Sequence, residues 1–127
     1  MQWNSTGIIV AGIGGYGKGA NQLYRPWSIA MDLNNAIYIT DRFNNRVQKY
    51  LMGSPIGITV AGNASGIAGS TLSDLREPAG IQVDFDGNIY VADRNNFRIL
   101  FWPSNAISGR IIAGTGKLTY FLSSISR

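Results

Sequence analysis

The chain has 127 residues, with 11 Lys+Arg against 7 Asp+Glu and a net charge of +4, a mild basic bias without the clustered run of a nucleic-acid-binding tail. It is 45% hydrophobic and 14% charged, with 16 glycines, a turn-rich globular composition and not a disordered one. The absence of Cys and His excludes a disulfide framework, a thiolate metal site and any step within this chain that needs an imidazole.

In chain order, Ile9-Val10-Ala11-Gly12 echoes the later Thr59-Val60-Ala61-Gly62, so residues 7–12 read as the last strand of a preceding unit. The stretch Gly12 to Gly19 satisfies G-x-G-x-x-G and approaches a phosphate loop. Such loops need a helix directly afterwards and a Ser/Thr for magnesium. Gly19 stands in that Ser/Thr position and no helical period follows, so a connecting loop is expected.

Four short runs rich in β-branched and aromatic residues come next, at 28–32, 36–40, 46–50 and 57–61. Turn residues bound them: Leu33-Asn34-Asn35 after the first run, Asp41 to Asn45 after the second. A glycine-rich connection, 62–71, leads to four more runs at 80–84, 88–92, 98–102 and 109–113. Their turns are Phe85-Asp86-Gly87 and Asp93 to Phe97. Asp-Gly and Asn-Asn tolerate the positive φ that tight hairpins need. Asp84 to Asn88 faintly resembles a calcium loop, but Asn95 stands where the bidentate Glu would be, and a hairpin turn is the better reading. No apolar run reaches the ~18–20 residues that would span a bilayer.

The two sets of runs are one text written twice. Pro26–Gly62 realigns on Pro78–Gly114 without a gap, with identities at Pro26/Pro78, Ile29/Ile81, Asp32/Asp84, Ile37/Ile89, Tyr38/Tyr90, Asp41/Asp93, Arg42/Arg94, Asn44/Asn96, Arg46/Arg98, Gly57/Gly109, Ala61/Ala113 and Gly62/Gly114. A fixed period of this length marks a supersecondary unit that buries its apolar faces only against neighbours. Four antiparallel strands per unit predict an all-β fold, a partial β-propeller. Its two four-stranded blades are 26–62 and 78–114. Residues 7–12 form the outer strand of a preceding blade, and 115–127 a lead-out open to disorder.

Pro-x-x-Ile-x-x-Asp, then Asn-Ile-Tyr-Val-Ala-Asp, then Asn and Arg-Ile in the second copy resembles the NHL repeat. The first copy departs at Trp27 and at Asn34-Asn35. The resemblance implies a propeller of about six blades, of which this chain carries about two. The expectation is a fragment, with the remaining blades in cis, or a homotrimer if the chain is complete.

The resemblance also implies a binding or scaffold module with a protein partner. The alternative is RNA bound through a basic face, as in tripartite-motif NHL proteins. The partner-binding candidates are Arg42, Phe43, Asn44, Arg94, Asn95 and Asn96, in the turns after the second strand of each blade. Asp41 with Arg46, and Asp93 with Arg98, recur in register and read as charge-assisted clamps on those turns. Arg25, Lys49, Arg76 and Lys18 add to the basic surface. Trp27, Phe43, Tyr50, Phe97 and Trp102 are aromatic enough to stack bases, with packing between blades the favoured role. No cofactor, metal or catalytic residue is expected. Amidating lyases share the propeller, but their chemistry uses a histidine-bound metal. The acceptor sequons at Asn4 and Asn63 fit chance occurrence.

Overall fold

The computed structural model describes residues 6–114. Two four-stranded antiparallel sheets follow one another along the chain. The first holds β1 (Pro26–Met31), β2 (Ile37–Asp41), β3 (Arg46–Tyr50) and β4 (Ile58–Gly62) in that order. The second repeats the order with β5 (Ile81–Val83), β6 (Ile89–Asp93), β7 (Arg98–Trp102) and β8 (Arg110–Gly114). These are the meandering blades of an all-β partial propeller.

Registers repeat as the sequence does. Asp41 lies opposite Arg46, and Asp93 opposite Arg98. The outer pairs slip at equivalent places, between Val47 and Gln48 and between Ile99 and Leu100. Backbone strain repeats too. Arg25 and Glu77 both take positive φ, at 51° and 47°, as do Asn35 and Gly87 in the hairpin turns.

Each hairpin turn is built on an aspartate. Asp32 Oδ1 accepts the N–H groups of Asn34 and Ala36, at 2.9 and 3.0 Å, and Oδ2 accepts the Tyr38 hydroxyl at 3.1 Å. Asp84 does the same with Asp86, Asn88 and Tyr90, and adds the Asn88 amide. Its oxygens are thus turned onto the hairpin's own donors. Burial alone would raise the Asp32 carboxyl, but the N–H groups of Ala36 and Asn34, the Tyr38 hydroxyl and Lys49 together hold it below 3.8. Asp84 is likewise lowered: burial pushes up, and the Asn88, Asp86 and Tyr90 donors outweigh it. A depressed carboxyl adds stability that is present above the unfolded value and is lost as pH falls through the folded one. Stability is therefore expected to hold from neutral pH downwards and to decline below 3.8. The pair Asp32→Asn, Asp84→Asn should flatten that decline in urea titrations across acid pH. An unchanged slope would remove the turn carboxylates as its cause.

The core lies between the sheets. Tyr38, Val47 and Ala61 on one face of the first sheet pack with Ile81, Ile89, Val91, Leu100 and Trp102 of the second, and Leu75 of the connection closes the layer. Fully burying each large side chain is worth about 1.5–3 kcal/mol. Thr40, at 0% exposure, donates across this junction to Ala79 O at 2.7 Å.

The outward faces differ in cover. Ile29 and Met31 on the first sheet's inner strand are exposed, whereas their counterparts Ile81 and Val83 are buried and half-buried. Residues 7–12 pair with no strand among the described residues, and Ile8, Ile9 and Val10 are exposed. The lead-out 115–127 and the Asn4 sequon lie outside the described residues.

The glycine-rich stretch is a connection folded on itself, with no helix behind it. Gly14 N–H donates to Asn21 O and Gly17 N–H to Leu23 O, while the Gln22 amide fills the bend and donates to Gly14 O and Tyr16 O.

Candidate binding end of the blades

The turns after β2 and β6 each make one short 3-10 turn, Arg42–Asn44 and Arg94–Asn96. A residue in left-handed conformation ends each, Asn45 at φ 54° and Phe97 at φ 54°. Asparagine tolerates that region; a phenylalanine there is uncommon.

Beneath each turn lies a buried polar cluster. Asp41 is 0% exposed and Arg46 2%. Asp41 Oδ2 accepts Arg46 Nε at 2.8 Å and the Asn44 amide at 2.9 Å, while Oδ1 accepts Tyr24 N–H at 2.7 Å. The other four Arg46 donors go to backbone carbonyls: Nη1 to Lys18 and Ala64, Nη2 to Gly19 and Gln22, at 2.9–3.1 Å. All five donors of the guanidinium fork are used. The second cluster repeats this. Asp93 takes Arg98 Nε, the Asn96 amide and Arg76 N–H, and Arg98 reaches Ser70, Thr71 and Asp74 carbonyls. Each arginine therefore fastens its own blade to the connection that precedes it, and Arg46 also reaches Ala64 in the connection that follows.

Asn44 and Asn96 belong to these clusters and not to the surface. Both are 5% exposed, and their amides also donate to Gly17 O and Gly69 O. That removes them from the residues able to touch a partner, because their donors are already spent. Tyr50 and Trp102 are buried too, with Tyr50 hydroxyl donating to Ala20 O and Trp102 Nε1 to Ala106 O. Neither is free to stack a base.

The remaining candidates gather on the surface above. Arg42 Cζ lies 4.8 Å from the Trp27 ring and 5.0 Å from the Phe43 ring. Its Nε stands 3.4 Å from Glu77 Oε1 and makes no directional hydrogen bond. Arg25 covers Phe43 from 5.6 Å. Tyr24 meets Phe43 edge-on at 5.4 Å and Tyr16 at 5.7 Å. Trp27 is 61% exposed, Tyr24 39% and Phe43 38%. Asn95 donates its amide to Glu77 Oε2 at 2.5 Å, so the turns of both blades hold one carboxylate. A shallow depression bounded by Tyr24, Phe43, Arg76, Glu77 and Asn95 lies between them. Arg94 is exposed and carries no ion pair among the described residues.

Charge is divided between the ends. Arg25, Arg42, Arg76 and Arg94 stand at this end against Glu77 and Asp74, while Asp32, Asp84 and Asp86 occupy the hairpin turns at the other, with Lys49 beside Asp32. Sequence reading omitted Tyr24 and Glu77. The available signal was position: Arg25 and Glu77 each precede the proline that opens a repeat, where a residue of positive φ projects outward. No three His, Cys, Asp or Glu residues are grouped to hold a metal among the described residues. No helix among them is long and apolar enough to cross a membrane.

Residues 23–50 and 75–100 match the family model of the NHL repeat. The two matches start 52 residues apart; the first covers the first three strands of its blade and the second runs into the third, and both include the buried clusters' Asp and Arg. Repeats of this kind are, in general, protein-interaction modules of propellers. The chain thus carries two stretches that match the NHL repeat, consistent with an NHL-repeat family.

Proposed function

We propose that the chain is a non-catalytic binding module that engages a protein partner through the end bearing Trp27, Phe43, Arg42 and Arg25. One observation carries this reading: Arg42 is packed against two exposed aromatic rings at 4.8 and 5.0 Å. Trp, Tyr and Arg are the side chains that dominate protein interfaces. An aromatic ring loses little conformational entropy on binding, and here its arginine neighbours are already ordered. Arg94 and Asn95 extend the surface onto the second blade. The buried Asp41–Arg46 and Asp93–Arg98 pairs support it from below without reaching it.

A second reading, RNA, is favoured by the concentration of Arg25, Arg42, Arg76 and Arg94 at the same end. A photo-crosslinking phenylalanine analogue at position 43 distinguishes the two, with the exposed Phe85 at the acidic end as control. Protein adducts at 43 and none at 85 support the first reading; RNA adducts at 43 transfer the site to the second. Equal labelling at both ends overturns the assignment of this end. Trp27→Ala with Phe43→Ala is expected to weaken the crosslinked partner by about 10- to 100-fold, with an unchanged urea midpoint.

A further inference from the structure

Nothing among the described residues covers the second sheet's outward face, and its residues say what fits it. Ala92, Phe97, Ile99 and Ala113 line a shallow apolar depression there, with Arg94 at its rim. These positions are the counterparts of Thr40, Asn45, Val47, Ala61 and Arg42 in the first sheet. There the same face is buried against the second sheet, with Thr40 and Val47 at 0% exposure.

The internal junction is therefore a template. Three polar links hold it besides apolar packing. Arg42 faces Glu77 at 3.4 Å, Asn45 accepts Glu77 N–H at 2.9 Å, and Thr40 donates to Ala79 O at 2.7 Å. On the outer face only the arginine survives. Phe97 and Ala92 replace Asn45 and Thr40, so two latches are lost and apolar area is gained.

We propose that this face docks a further sheet of different sequence, one that brings a carboxylate opposite Arg94, and that it rejects a second copy of this chain. A copy docking by the template would place Arg25 where Glu77 stands, since the two share register and positive φ. Arg94 would then meet Arg25, and like charges at an interface select strongly against a partner. The Arg25 N–H would face Phe97, which has no acceptor to replace Asn45 Oδ1. An acidic residue at that position removes the repulsion and leaves the apolar packing intact.

Charge exchange tests this with the chain itself as probe. Arg25→Glu and, separately, Arg94→Glu each create one Arg–Glu contact between copies. Each is expected to self-associate at least tenfold more tightly than wild type by sedimentation equilibrium, with the gain shrinking as salt rises. The double exchange sets Glu against Glu and returns to wild-type association. Arg94 is exposed and carries no ion pair among the described residues, so that variant keeps the fold even if Arg25→Glu does not. Association of the double variant matching the singles, or no tightening in Arg94→Glu, overturns the proposal.

Discussion

Replacing Arg46 with alanine is expected to cost about 3–5 kcal/mol, the range for stripping one partner from a buried ion pair. A domain holds only about 5–15 kcal/mol in all, so the variant should stand near the edge of unfolding. The cause is specific. The Asp41 carboxylate, at 0% exposure, would keep only Asn44 and the Tyr24 N–H. Carbonyls of Lys18, Gln22 and Ala64 would lose their Arg46 donor, and Gly19 O would keep only the Gln22 N–H. Arg46→Lys should recover little, because one ammonium has three donors and no fork to span both sides of the connection. Arg94→Ala, on the exposed side of the equivalent turn, should stay within about 0.5 kcal/mol. Urea midpoints rank the three. A loss under about 1 kcal/mol for Arg46→Ala would sink the view that this cluster holds blade to connection.

Gly62→Ala comes next, at about 2–3 kcal/mol for a left-handed alanine pressed on backbone. At φ 81° an added Cβ would lie 2.9 Å from Arg46 Cα and closer still to Asn45 O. Neither is the free end of a side chain, so the strand bearing the Arg46 guanidinium must shift. Gly53 is the control. Its φ of 78° is nearly the same, but a Cβ there meets nothing within 4 Å. Gly53→Ala thus isolates the conformational penalty, about 1 kcal/mol. Equal losses at the two sites would show that crowding against Asn45 and Arg46 adds nothing.

Strand positions were legible because two independent signals agree at a 52-residue period. Ile, Val and Tyr alternate as pleated half-buried surfaces require, and Asn35 and Gly87 fall where the chain needs positive φ. The ends of strands shift by a residue or two, since the ladder closes on Asp41–Arg46 and Asp93–Arg98 and not on the apolar runs. Sequence also showed that Asp and Arg recur around each turn. It could not show where the guanidinium points, because Lys18, Gly19 and Gln22 contribute carbonyls, which every residue has. For the same reason Asn44 and Asn96 looked like surface residues. An asparagine in a turn carries no mark of burial, and only the inward Asp reveals that its amide is claimed. Phe97 was illegible in another way: its left-handed backbone is imposed by the turn, against the residue's own preference, and its counterpart Asn45 hides the cost.

The direction in which Arg98 reaches has a consequence for how the molecule is made. Arg98 donates to Ser70, Thr71 and Asp74, all of them earlier in the chain. On a ribosome every one of those acceptors has already been synthesised when the arginine emerges. The second blade can therefore lock onto what precedes it during synthesis, and a nascent chain is secured from its N-terminal side as it lengthens.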